Sequence, residues 1–170
     1  MRFDNIHFEH GLTRHSNGEE ANRTLFGWFP DKYGKMVGIG TAMYNLKDVK
    51  KVVSGIFIRH KMFYYTYLAF EKDFTKYYLT KQYLTEDKND VKFNIEKQFY
   101  EKLIDKAIEL DCDLFKAAFE SPQNKEESAF NESFKAKGIK KIIEKGVERT
   151  WNLGQYKQMQ KDLKAKDSLF

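Results

Sequence analysis

Ile95-Glu96-Lys97-Gln98-Phe99-Tyr100-Glu101-Lys102-Leu103-Ile104-Asp105-Lys106-Ala107-Ile108-Glu109-Leu110 carries apolar residues at 95, 99, 103, 107 and 110. That interval of about 3.6 residues is the period of a helix with one apolar face. Shortly after it, Leu114-Phe115-Lys116-Ala117-Ala118-Phe119 is short and apolar, the pattern of a buried strand. A helix feeding a buried strand separates this chain from all-α and all-β folds.

Downstream the alternation continues. Glu126 to Lys137 forms a second helix with Ala129, Phe130, Ser133 and Phe134 on one side, and Gly138 stands where a helix stop belongs. Ile139–Ile143 and Val147–Leu153 form a closing hairpin turned at Lys145-Gly146, and Gly154 precedes a last helix bearing Tyr156, Met159 and Leu163.

Upstream the period drops to that of strands. Phe3 to Phe8 begins one, Thr13 to Asn22 is a loop, and Leu25–Phe29 and Met36–Tyr44 are joined by the turn Pro30-Asp31-Lys32-Tyr33-Gly34-Lys35. Val52–Arg59 and Met62–Phe70 form a second pair, with Arg59-His60-Lys61 between them. Their β-branched and aromatic residues suit a pleated, half-buried surface. A helix follows through Phe74, Tyr77 and Tyr78 to about Thr85. The fold class is therefore α/β (α+β), a mostly antiparallel sheet flanked by helices in three layers.

Composition sets the frame for this order. With 170 residues, 41% apolar and 16% aromatic, the chain is one domain long (1–170) and rich enough in large apolar groups to bury a core. Its two prolines, Pro30 and Pro122, mark no linker. Cys112 is the only cysteine, so no intramolecular disulfide and no multi-cysteine zinc site can form. The start of the chain lacks the apolar run of a signal peptide, and no transmembrane-length apolar stretch occurs, which predicts a cytoplasmic protein away from membranes.

The chain is basic, at net charge +5, but unevenly so. From Lys32 to Lys97, 13 Lys/Arg stand against 7 Asp/Glu, a balance of +6; from Glu101 to Glu132, 4 stand against 9, or −5; from Ser133 to Phe170, 10 stand against 4, or +6. Basic surfaces of this kind attract polyanions.

The stretch from Ile95 to Lys141 resembles the C-terminal half of the GNAT acyltransferase family. The resemblance lies in the helix Leu103–Asp113, the strand Leu114–Phe119, and Asn124, Ala129, Phe134, Gly138 and Ile139 at the family's Asn, Ala, Tyr, Gly and Phe positions. It implies a GNAT-like fold and an N-acyltransferase using acyl-CoA, with Lys76 and Asn124 as cofactor contacts. Such enzymes seat a pyrophosphate on amides at a helix N-terminus. Here Leu79 and Lys81 occupy the loop's two glycine positions, and Phe134 stands at the tyrosine acid. The residue pattern leaves the catalytic group unknown.

Other groups have quieter readings. His7 and His10 differ by an odd number and fall on opposite faces of a strand, so no metal site is expected. Cys112, between Asp111 and Asp113, has neighbours that raise a thiol pKa. Asp105 and Glu109 share a helix face and repel each other.

The most suggestive pattern interleaves cations with rings: Arg59, Lys61 and Tyr64, then Lys72, Lys76, Tyr77 and Lys81. Bases stack on such rings while cations meet phosphates. The function this favours is a non-catalytic accessory protein engaging nucleic acid or a nucleoprotein or protein partner, of viral (phage) or mobile-element origin.

Overall fold

The computed structural model describes residues 3–120 and 125–168. The element order is β1 (His7–Arg14), β2 (Glu20–Pro30), β3 (Met36–Val53), β4 (Ile56–Phe70), α1 (Lys72–Tyr77), α2 (Lys88–Glu109), β5 (Leu114–Ala118), α3 (Lys125–Ala136), β6 (Lys141–Lys145), β7 (Glu148–Asn152) and α4 (Leu153–Ser168). Among the described residues these strands form a seven-stranded sheet in the order β1-β2-β3-β4-β5-β7-β6. The fold class is the expected one: a mostly antiparallel sheet flanked by helices, in which β4 and β5 run parallel.

The chain divides into two compact units, Met1–Asn45 with Thr66–Leu103, and Leu46–Tyr65 with Ile104–Phe170. Because β3 and β4 are long, each contributes one end to each unit.

In the first unit β1 pairs with β2 from His7↔Trp28 to Arg14↔Glu20, and β2 pairs with β3 from Arg23↔Tyr44 to Pro30↔Met36. Gly27 lies opposite Gly40. A Cβ at Gly27 would stand 2.4 Å from Cζ of Phe99, so that bare backbone is where α2 sets its central ring on the sheet. Phe3, Phe29 and Phe74 close the core beside it, with ring centroids 5.1 to 6.1 Å apart.

In the second unit Met62–Tyr65 of β4 pairs in parallel with Leu114–Ala117 of β5, and β7 lies antiparallel between β5 and β6. Phe63 stacks on Phe115 at 4.8 Å, and Phe130 and Phe134 pack against Trp151. Buried Arg149 and Glu127 are paired at 2.6 Å. The helix–strand–helix–glycine passage behind the GNAT resemblance is present as α2, β5, α3 and Gly138. Gly138 has φ 73° and lets the amide of Ile139 close back on the carbonyl of Phe134 at 3.0 Å.

Several boundaries differ from expectation. Arg59-His60-Lys61 is not a turn but the middle of β4; the chain reverses at Ser54-Gly55. A two-residue hairpin loop of type I′ has positive φ at both positions, and Ser54 (53°) and Gly55 (78°) supply it. The Thr13–Asn22 loop shrinks to residues 15–19, because Thr13 Oγ1 and the backbone of Asn22 exchange hydrogen bonds at 3.1 and 3.2 Å. The first strand opens at His7 rather than Phe3, and the helix after β4 stops at Tyr77, after which Leu79 and Leu84 turn into the core. Among the described residues no helix is long and apolar enough to cross a membrane.

Candidate nucleic-acid interface

The expected cation–ring residues fall in both compact units. In the second unit, Arg59 is exposed in β4. Tyr64 is half-buried beneath the ammonium of Lys47, which lies 4.6 Å from the ring centroid. Lys61 is tied down: its Nζ donates to the carbonyl of Leu110 at 2.8 Å and its amide donates to Asp113 Oδ2 at 3.0 Å. An ammonium at the last carbonyls of α2 satisfies orphan acceptors and meets the negative end of the helix dipole. Lys61 therefore anchors the start of β5 as well as adding charge.

The Ser54-Gly55 reversal makes residues 46–58 a hairpin whose end is exposed. Val52, Ile56 and Phe57 are 61%, 66% and 72% exposed there. In sequence, Ser54-Gly55-Ile56-Phe57-Ile58 is only a faint match to an RNA-binding strand motif; the Ser-Gly dipeptide is the sequence signal for the turn that exposes these groups.

In the first unit, Lys72, Lys76 and Tyr77 are exposed on α1, with Nζ of Lys76 5.2 Å from the Tyr77 ring centroid, and Lys81 is exposed in the segment that follows. That segment also carries Tyr78 and Tyr83, whose rings meet edge to face at 4.7 Å and 75°. With Pro30, Asp31, Lys32 and Tyr33 of the β2–β3 turn they line a cleft of about 410 Å³. Asp31 Oδ1 accepts the amides of Tyr33 and Lys35 at 2.9 and 2.8 Å, and so shapes the turn. Burial, then Tyr78 and Asp31, push the pKa of the Tyr83 hydroxyl up. Tyr33 and Asp31 were absent from the expected site because in sequence they belong to a turn.

The residues expected to serve a cofactor are placed otherwise. Asn124 lies outside the described residues. Lys76 is an exposed α1 side chain, and Leu79 is buried. At the start of α2, Asp87 Oδ1 accepts the amides of Asn89 at 2.8 Å and Asp90 at 3.3 Å. A carboxylate of this chain thus sits where an anionic ligand would seek helix amides. Phe134 is buried with its ring stacked on Trp151.

Burial is the main cause that pushes the Cys112 thiol up to about 11, with Asp113 and Asp111 as smaller causes. Lys157 Nζ bonds Asp111 at 2.7 Å and holds that carboxyl below its ordinary range. His7 stacks on Trp28 at 4.5 Å. Among the described residues no three His, Cys, Asp or Glu side chains are grouped to hold a metal ion.

No protein-family model matches the sequence, and no curated protein matches it. Among solved structures, the chain is similar to one in a KacTA–DNA complex, with TM-score 0.36 and 9% identity over 83% of this chain and 74% of that one. It is also similar to a structure of a mutant AtaT toxin bound to the C-terminus of the antitoxin AtaR and acetyl-CoA. The TM-score there is 0.35, with 8% identity over 81% of this chain and 72% of that one.

Proposed function

We propose that this chain is a non-catalytic accessory protein, of viral or mobile-element origin, that engages nucleic acid or a nucleoprotein complex. The observation that carries this reading is the β3–β4 hairpin. Between Leu46 and Lys61 five Lys/Arg (Lys47, Lys50, Lys51, Arg59, Lys61) stand against Asp48 alone, a balance of +4. Val52, Ile56 and Phe57 are exposed at its end. A two-stranded ribbon is narrow enough to enter a nucleic-acid groove. Its cations supply phosphate contacts, and its apolar end supplies surface that bases or sugars can cover.

The test is fluorescence anisotropy with short single- and double-stranded DNA and RNA over a salt series. Binding through Z phosphate contacts falls with salt at a log–log slope of about −0.9Z for duplex DNA. Replacing Lys47, Lys50 and Arg59 together with Gln should weaken binding and flatten the slope by about 2–3. Absent or salt-insensitive binding would remove the nucleic-acid version and leave a protein partner, to be sought by pull-down.

A second reading, a divergent N-acyltransferase using an acyl-CoA, is supported by the parallel β4–β5 pair followed by α3 and Gly138. Against it stand Asp87 on the α2 amides, Leu79 in the core, and a stacked Phe134 with no proton to give. Calorimetry with acetyl-CoA and longer acyl-CoAs decides: measurable heat of binding restores the enzyme, and none removes it.

A further inference from the structure

The Tyr33–Tyr78–Tyr83 cleft has the chemistry of a stacking site. Three phenol rings and Pro30 surround about 410 Å³, within the size range of small-ligand pockets. Tyr78 and Tyr83 stand at 75° to each other, so a flat ring lying on one face meets the edge of the other. Tyr33 is 82% exposed and so can move onto a ligand without leaving a core position.

The charges select among flat or cationic ligands. Nζ of Lys32 already lies 5.1 Å from the Tyr33 ring centroid, at the mouth of the cleft. An organic cation would meet that ammonium as a like charge, whereas a neutral ring attached to a phosphate would be drawn to it. Asp31, which also lines the cleft, accepts both turn amides on Oδ1, and those bonds leave the acceptor capacity of its second oxygen unused. A carboxylate accepts from the exocyclic amino group of cytosine, whereas unpaired thymine offers only its imide N3–H, flanked on both sides by carbonyl oxygens that repel the carboxylate. Lys72, Lys76 and Lys81, in the same stretch as Tyr78 and Tyr83, add cations for the backbone on either side of a bound base.

We propose that this cleft takes one unpaired base of a single-stranded nucleic acid, stacked on the exposed Tyr33 ring and edged by Tyr78 and Tyr83, with its amino group on Asp31. The site rests on the nucleic-acid reading above and specifies it: single strands rather than duplex at this surface, and amino-bearing bases over thymine.

The experiment compares oligo(dC) with oligo(dT) by anisotropy, using the full chain and two variants. Tyr33→Ala removes an exposed ring and should lower affinity for oligo(dC) about fivefold or more, with unchanged thermal unfolding. Asp31→Asn still accepts the turn amides but presents an amide, which can donate to the thymine O4. It should narrow or reverse a preference for oligo(dC). Equal oligo(dC) binding by the unsubstituted protein and Tyr33→Ala, or an unchanged preference in Asp31→Asn, overturns the cleft while leaving the hairpin reading intact. Failure of the unsubstituted protein to bind either strand or any duplex overturns both.

Discussion

Phe134 and Trp151 stack with centroids 4.3 Å apart and planes 16° from parallel, joining α3 to β7 in the core of the second unit. Both are essentially without solvent contact, and Phe115 meets Phe134 edge-on at 5.1 Å. Removing the Phe134 ring opens a cavity that neighbouring rings cannot close. Phe134→Ala should cost about 3–5 kcal/mol, measured by urea unfolding. Phe134→Tyr tests the acyltransferase reading as well: it should destabilise by burying a hydroxyl among rings and confer no acyl transfer.

The close approach of Phe99 to Gly27 makes a second test. Gly27→Ala inserts a methyl where the ring already lies, and overpacking of this kind costs about 1–3 kcal/mol. Because the clash is with one side chain, Phe99→Leu in the same molecule should return part of the loss. A double-mutant cycle showing additivity would mean that α2 moves away from the sheet instead.

Glu127 and Arg149 form a buried pair at 2.6 Å, with Glu144 3.3 Å from the same guanidinium nitrogen. Deleting the buried acid leaves a buried cation whose remaining carboxylate partner is exposed Glu144, beside the backbone carbonyls of Gly146 and Glu148. Glu127→Ala should cost about 3–5 kcal/mol, and the exposed Glu144→Ala far less. Comparable losses from the two would show that the exposed acid carries the pairing.

The buried thiol sets an alkaline dependence. Cys112 has a folded pKa of about 11 against a reference of 9.0, so above pH 9 the unfolded chain releases its proton first. The native state then holds more protons, and stability must fall as pH rises from about 9 to 11. Below that window the contribution is complete. Cys112→Ala should show a shallower decline over that range, and at neutral pH a thiol reagent should label the native protein no faster than it unfolds. Rapid native labelling would show that the thiol is accessible.

The elements were legible in proportion to how local their causes are. The apolar period of α2, the short run of β5 and the stop at Gly138 are written in neighbouring residues, and each appears close to where it was expected. The mid-β4 position of Arg59-His60-Lys61 was not, because charged residues suggest a turn. What opposes that suggestion is non-local: the amide and ammonium of Lys61 are held by Asp113 and Leu110, about fifty positions later in the chain.

The candidate sites divide in the same way. Residue spacing sufficed to single out Arg59, Tyr64, Lys72, Lys76, Tyr77 and Lys81, since alternation of rings and cations needs no fold to be seen. Composition likewise set the large aromatic core and the basic balance. The tertiary structure alone brought Tyr33 and Asp31 beside Tyr78 and Tyr83, and turned Leu79 inward. It also spent the first amides of α2 on Asp87 and put Phe134 onto Trp151. Local pattern reports what a segment prefers on its own, whereas a cleft, a capped helix end or a buried ring depends on which distant segment arrives to cover it.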